Sequence, residues 1–153
     1  MIASRLIADS FISIAGAGED YLTLIQRQLS NRAPFVKSMS DSIIEQLRNN
    51  KIVDTVSPLM NNLFNPANQR FLIDANRYKP VEEISKLDIS VLIVKGSNDI
   101  QIEVKDAQLL HNAAKKSRIE IIQGMNHVFR QAPENRLLNM QTYGNPELSI
   151  DDS

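Results

Sequence analysis

The segment from Ser90 to Ile122 constrains the fold more than any other part of this sequence. Ser90 to Lys95 (SVLIVK) is a run of mostly branched apolar residues that ends at Gly96. From Glu103 to Ala114, apolar residues fall at Val104, Ala107, Leu110 and Ala114, the spacing of one helix face. Arg118 to Ile122 (RIEII) is a second apolar run, followed by Gly124. Strand, helix and strand in this order predict two parallel strands joined by a right-handed crossover. Both strands read as buried on both faces, as parallel strands are.

A third strand is predicted upstream. Phe11 to Ala15 (FISIA) is short, apolar and β-prone, and it reads as a buried strand that runs into the tight turn Gly16-Ala17-Gly18. Met1 to Ala8 has helix-forming residues but no capping signal, and reads as the tail of a helix. Between the first two strands the character changes. Apolar residues recur three or four apart at Leu22, Ile25 and Leu29 and again at Ile43, Ile44 and Leu47, while Pro34, Pro58, Pro66 and Pro80 interrupt. Ser57-Pro58 and Asn65-Pro66 each pair a capping residue with proline at a first helical position. Four or five short helices without a strand follow from this pattern. The domain division is therefore a core of residues 1–18 and 88–153 and an all-helical insertion of residues 19–87. Arg130 to Tyr143 reads as partly helical.

Composition bounds the function. The 153 residues suffice for one domain with a core, and 42% hydrophobic with 23% charged residues is ordinary for a globular chain. A net charge of −1 gives no bulk attraction to nucleic acid or to an anionic membrane. The absence of cysteine excludes a disulfide framework, a thiolate metal site and a cysteine nucleophile, and it fits a reducing, cytoplasmic setting. No apolar run approaches the roughly 18 residues of a membrane span. The start of the chain has Arg5 and small residues near Gly18, but Asp9 splits its apolar part and weighs against a secretory leader.

In open α/β sheets, ligands bind beyond the carboxyl ends of the strands. The strand that ends at Gly96 is followed by Asp99, and the strand that ends near Gly124 by His127, 28 residues later. Neighbouring parallel strands would bring this acid and this imidazole to one edge. A carboxylate that accepts the Nδ1–H of a histidine fixes its tautomer and leaves Nε2 as a general base. The plainer reading stands beside this one, since aspartate is a common turn residue and a lone histidine is often a satisfied polar group.

The segments "ISVLIVKGSNDIQI" and "RIEIIQGMNHVFR" resemble the last two catalytic segments of the α/β-hydrolase family, whose triad runs nucleophile, acid, histidine along the chain. The resemblance makes Asp99 the acid and His127 the histidine. It likens residues 19–87 to the lid inserted after the family's sixth strand, and "SFISIAGAG" to that strand. The implied fold is a partial α/β-hydrolase fold of about three parallel strands with flanking helices and an all-helical lid. The implied activity is that of a serine hydrolase on an ester, amide or related acyl bond, with no cofactor. One departure matters. No G-x-S-x-G nucleophile motif occurs, and by the family pattern it would lie ahead of Met1. Ser97, without a strained turn and helix behind it, and Ser13, inside a strand, are poor substitutes. Alone, the chain is expected to be inactive. The alternative is a non-catalytic fragment or binding module whose unpaired Phe11–Ala15 edge needs a partner chain and drives self-association.

Other signals are weaker. Gly16-Ala17-Gly18 lacks the third glycine of a dinucleotide-binding turn, since Tyr21 stands there, and Asp41 suits a helix cap better than a ribose contact. His111 is expected to be exposed on its helix, and two histidines without H-E-x-x-H give no zinc site. Glu19/Asp20 and Glu82/Glu83 suit helix N-termini. Phe35, Met39, Met60, Phe64 and Phe71 could line an acyl pocket or simply pack a helical core. The substrate-binding residues are not legible.

Overall fold

The structure is a computed structural model that describes residues 8–145 and 147–150, apart from the side chain of Arg32. The helical reading of Met1 to Ile7 lies outside the described residues. The rest divides into two compact units, one formed by residues up to Gly18 and from Pro80 onward, the other by Glu19–Lys79.

In the first unit the three branched runs pair as expected. Strands β1 (Ser10–Ile14), β2 (Ser90–Gly96) and β3 (Ser117–Ile122) form a parallel sheet in the order β1-β2-β3. The register sets Ile12 beside Leu92, Ile93 beside Ile119 and Gly96 beside Ile122. Helix α6 (Val104–Ala113) carries the crossover from β2 to β3. Its first turn has a reciprocal capping box, in which Glu103 and Asp106 each accept from the other's end of the turn. Ala107 and Leu110 of α6 pack with Val91, Ile93, Ile119 and Ile121 of the sheet and with Ile84 and Leu87. Ile84 belongs to α5 (Pro80–Ser85), which opens with Glu82 and Glu83 in its first turn. The sequence reading gave α5 to the insertion, but it packs on α6 in the sheet unit.

The expectation that β1 is a buried strand is not met. Burial alternates along it, and Ile12 and Ile14 are 56% and 53% exposed. The cause is one-sided cover: among the described residues of this unit, α5 and α6 pack on the face that Phe11 shares with Val91 and Ile93.

The second unit is wholly helical, with α1 (Tyr21–Arg32), a 3₁₀ turn (Pro34–Val36), α2 (Lys37–Arg48), α3 (Asn61–Phe64) and α4 (Pro66–Asn76). The recurring apolar positions form its core around Leu22, Ile44, Leu47, Phe64 and Leu72. Asp20 caps α1 by accepting from the Thr23 N–H, and Asn65 caps α4 by accepting from the Asn68 N–H, with Pro66 at the first position. Two expectations are corrected. Pro58 begins only a turn, closed by Met60 N–H donating to the Ser57 carbonyl, and no regular helix follows until Asn61. Asp41 is no cap but an interior residue of α2, where it accepts from Lys37 one turn earlier and from Gln26. Of the five residues weighed as pocket lining, Met60 and Phe64 are core, whereas Phe35 and Phe71 are exposed. At the base of the unit, Lys79 pairs with Asp20 at 3.3 Å and Asn76 accepts from the Leu22 N–H, so its two ends meet.

Candidate active site

Two turns at the carboxyl ends of β2 and β3 build the site. They approach closely because Gly96 has no side chain: a Cβ there would lie 2.0 Å from the Met125 carbonyl oxygen. The turns are then laced together. Ser97 N–H donates to the Ile122 carbonyl at 2.9 Å, Asn98 N–H to the Met125 carbonyl at 3.0 Å, and Gly124 N–H to Ser97 Oγ at 2.8 Å. Gly124 takes a φ of +78°, which its lack of a Cβ permits.

This lacing brings Asp99 and His127 together. Asp99 Oδ2 lies 2.8 Å from His127 Nδ1. The same oxygen accepts from Lys95 Nζ, and Oδ1 accepts from the N–H groups of Gln101 at 2.7 Å and Ile102 at 3.0 Å. The carboxylate is thus bonded on both oxygens, with its side chain 1% exposed and that of Lys95 fully buried. Burial pushes the Asp99 carboxyl up, but the bonds from His127, Lys95 and the Ile102 and Gln101 amides more than offset this and hold it at about 2. With a carboxylate on Nδ1, that nitrogen carries the proton and Nε2 is left as the basic atom. The His127 side chain is 30% exposed, and Nε2 makes no hydrogen bond among the described residues.

The histidine turn is fixed by a neighbour. Asn126 is buried, and its Oδ1 accepts from the N–H groups of Val128 and Arg130 at 3.0 and 3.1 Å. Phe129 takes a φ of +60°, an uncommon value for a non-glycine residue, within this short turn.

Sequence reasoning singled out Asp99 and His127, which the structure brings into contact, and passed over Lys95 and Asn126, which bond to them or to their turn. Lys95 had a signal: a lysine in an apolar strand, four residues before an acid in the turn. Asn126 had none. Ser97, weighed as a nucleophile, uses its hydroxyl locally, donating to Asn98 Oδ1 and accepting from Gly124. Ser13 sits in β1, half-buried. His111 is half-buried rather than exposed, because Nδ1 meets Ser117 Oγ at 2.8 Å, and that hydroxyl also reaches the His111 carbonyl. Among the described residues no three His, Asp or Glu side chains gather as a metal site, and no helix is long and apolar enough to cross a membrane. The helical unit carries a shallow groove of about 410 Å³ between α2 and the 53–57 segment, with Met39, Ile43, Val53 and Val56 among its lining.

No family model matches the sequence, and no curated protein matches it. Solved structures do match. Among them are α/β hydrolases. An esterase from Exiguobacterium antarcticum is 13% identical with a TM-score of 0.41, covering 88% of this chain and 53% of its own. An α/β hydrolase from a deep-sea metagenome is 10% identical with a TM-score of 0.41, covering 91% and 57%. A candidate non-heme bromoperoxidase from Mycobacterium tuberculosis is 13% identical with a TM-score of 0.46, covering 82% and 55%. The chain spans about half the length of these structures.

Proposed function

We propose that Asp99 and His127 are the acid and the base of an α/β-hydrolase site acting on an ester, amide or related acyl bond of a small molecule. The observation that carries this reading is the 2.8 Å contact between a buried, doubly anchored carboxylate and His127 Nδ1, at the ends of adjacent parallel strands. His127 Nε2 takes the proton of an attacking hydroxyl as the oxygen bonds to the acyl carbon. Asp99 stabilises the imidazolium through Nδ1–H. The proton passes to the leaving group as its bond to the acyl carbon breaks. The attacking serine comes from polypeptide outside this sequence, because no G-x-S-x-G is present and the Ser97 hydroxyl is engaged elsewhere. No cofactor, nucleic acid or membrane enters the reaction, and the lack of cysteine supports a cytoplasmic setting.

The test begins with the coding DNA upstream of Met1. If the frame is open and encodes G-x-S-x-G after a β-prone run, the extended protein should hydrolyse a chromogenic short-chain ester that the 153-residue chain leaves at background. In the extended protein, His127→Ala should abolish turnover and Asp99→Asn should lower kcat by about 10⁴ through the wrong tautomer. Full activity in either variant would sink the assignment.

A second reading is favoured by β1. Its outer edge is unpaired among the described residues and it exposes Ile12 and Ile14, which supports a module that takes up a further strand from another chain. Size-exclusion chromatography at rising concentration should show self-association, relieved by Ile12→Lys with Ile14→Lys. A chain that stays monomeric at high concentration excludes it.

A further inference from the structure

Helix α7 (Arg136–Thr142) is seated in an unusual way. Its apolar residues point outward, with Leu137 74%, Leu138 51% and Met140 54% exposed. The residue it buries is Asn139, which is 0% exposed. Apolar packing is non-directional and tolerates sliding, whereas hydrogen bonds specify position. What Asn139 touches therefore decides what α7 does.

Its amide reaches both turns of the site. Nδ2 donates to the Asn98 carbonyl at 2.8 Å, the peptide that leads directly into Asp99, and to the Pro133 carbonyl at 3.1 Å. Oδ1 accepts from Asn126 Nδ2 at 3.3 Å, on the residue directly before His127. Asn126 Nδ2 also donates to Thr142 Oγ1 at 2.7 Å, and that hydroxyl donates back to the Asn139 carbonyl at 2.7 Å. Both amide N–H groups and the amide oxygen of Asn139 are thus used, one N–H on the peptide before Asp99 and the oxygen on the residue before His127. Further links repeat the pattern at the rim, where Arg136 Nη1 donates to the Ile100 carbonyl at 3.2 Å and Arg130 Nη1 to the Thr142 carbonyl at 2.6 Å. We infer that Asn139 is a positioning residue, whose side-chain amide bridges the acid turn and the histidine turn and keeps Asp99 Oδ2 in reach of His127 Nδ1.

The strand-end lacing already holds Ser97 and Asn98 against Ile122 and Met125. Asn98 Nδ2 also donates to the Ala132 carbonyl at 2.7 Å, and Asn139 adds a further attachment supplied by a separate element, α7. The bonds of Asn139 hold the Asn98 peptide and the Asn126 amide to one buried side chain, which limits how far the two turns can part. Asn126 alone cannot supply it, because its Oδ1 is spent inside its own turn. The inference deepens the hydrolase reading, but it concerns a hydrogen bond that exists whether or not any ester is cleaved, so the two can fail separately.

The experiment is ¹⁵N-edited proton NMR of the two imidazoles in the whole chain, with His111→Gln to assign them. The Nδ1–H of His127 bonded to a buried carboxylate should give a far-downfield signal that exchanges slowly with water. In Asn139→Leu, which keeps the bulk and removes the amide, exchange of that proton should accelerate at least tenfold or the signal should vanish. The His111 ring, bonded to Ser117 on the other side of the unit, should be unchanged. A merely structural loss would broaden both rings together with a collapse of the melting transition, and a folded variant with the His127 signal intact would overturn the bridge. Should the leucine variant fail to fold, hydrogen exchange on the unaltered chain decides. The Asn139 and Tyr143 amides, bonded within α7, must then open together with the His127 Nδ1 proton. Opening of α7 while that proton stays protected refutes the role.

Discussion

Replacing Lys95 by methionine keeps the length of the apolar stem inside β2 and removes the cation that meets Asp99. Removing one partner of a buried ion pair costs about 3–5 kcal/mol, because the charge left behind is desolvated without compensation. Asp99 would still hold three donors, from His127 and the Gln101 and Ile102 amides, so the cost should fall at the low end, about 3 kcal/mol at pH 7. The pH dependence gives a second handle. A carboxyl held at about 2 in the folded chain, against 3.8 ordinarily, stabilises the fold above pH 4 and loses that contribution as pH falls toward 2. The amount is at most between about 2 and 3 kcal/mol. In Lys95→Met the folded-state carboxyl should rise toward its ordinary value, so the acid loss should become smaller and finish at a higher pH, its onset near pH 4 being set by the unfolded chain. Urea unfolding at pH 7 and at steps down to pH 2 measures both effects. The double variant Lys95→Met with Asp99→Asn should regain much of the loss, since neither charge is then buried. A single variant within about 0.5 kcal/mol of the parent at pH 7, with the same acid profile, would refute the buried-pair argument.

Two further substitutions probe the framework. Gly96→Ala forces a Cβ against the Met125 carbonyl and should cost about 1–3 kcal/mol while weakening the downfield His127 signal; unchanged melting would mean that the two turns have slack. In the helical unit, fully buried Gln69 donates to the carbonyls of Val53 and Phe64 and accepts from the Val53 N–H, so Gln69→Leu strands these groups and should cost about 2–4 kcal/mol by chemical denaturation. A leucine variant as stable as the parent would show that water replaces the amide there.

The features legible in the sequence are those set by local chemistry. Branched runs that stop at glycine located β2 and β3 to within a residue, and Asn65-Pro66 located the start of α4. Asp99 and His127 were legible because parallel topology fixes which turns are neighbours. Features set by what packs above them were not. Ile12 and Ile14 read as buried because apolar residues in a strand do, and nothing local says that helices cover one face only. Asp41 read as a cap because the 3₁₀ turn at Pro34–Val36, which lets α2 begin at Lys37, leaves no clear mark. Lys95 broke the apolar pattern and was absorbed into it, although its register with Val91 and Ile93 put it on the covered face. Asn126 and Asn139 are 13 residues apart and meet only after α7 folds back, so no spacing rule reaches them.

The clasp between Asp20 and Lys79 bears on the order in which the chain folds. The pairing of β1 with β2 joins Ser10 to Ser90, eighty positions along the chain. If the helical unit forms first and closes its own neck, the floating length between the strands shrinks to about 20 residues, and the entropy of closing the loop falls by about 1 kcal/mol. A local helical bundle forms faster than a long-range parallel pairing. The insertion that separates the strands in sequence would then be what shortens their search for one another.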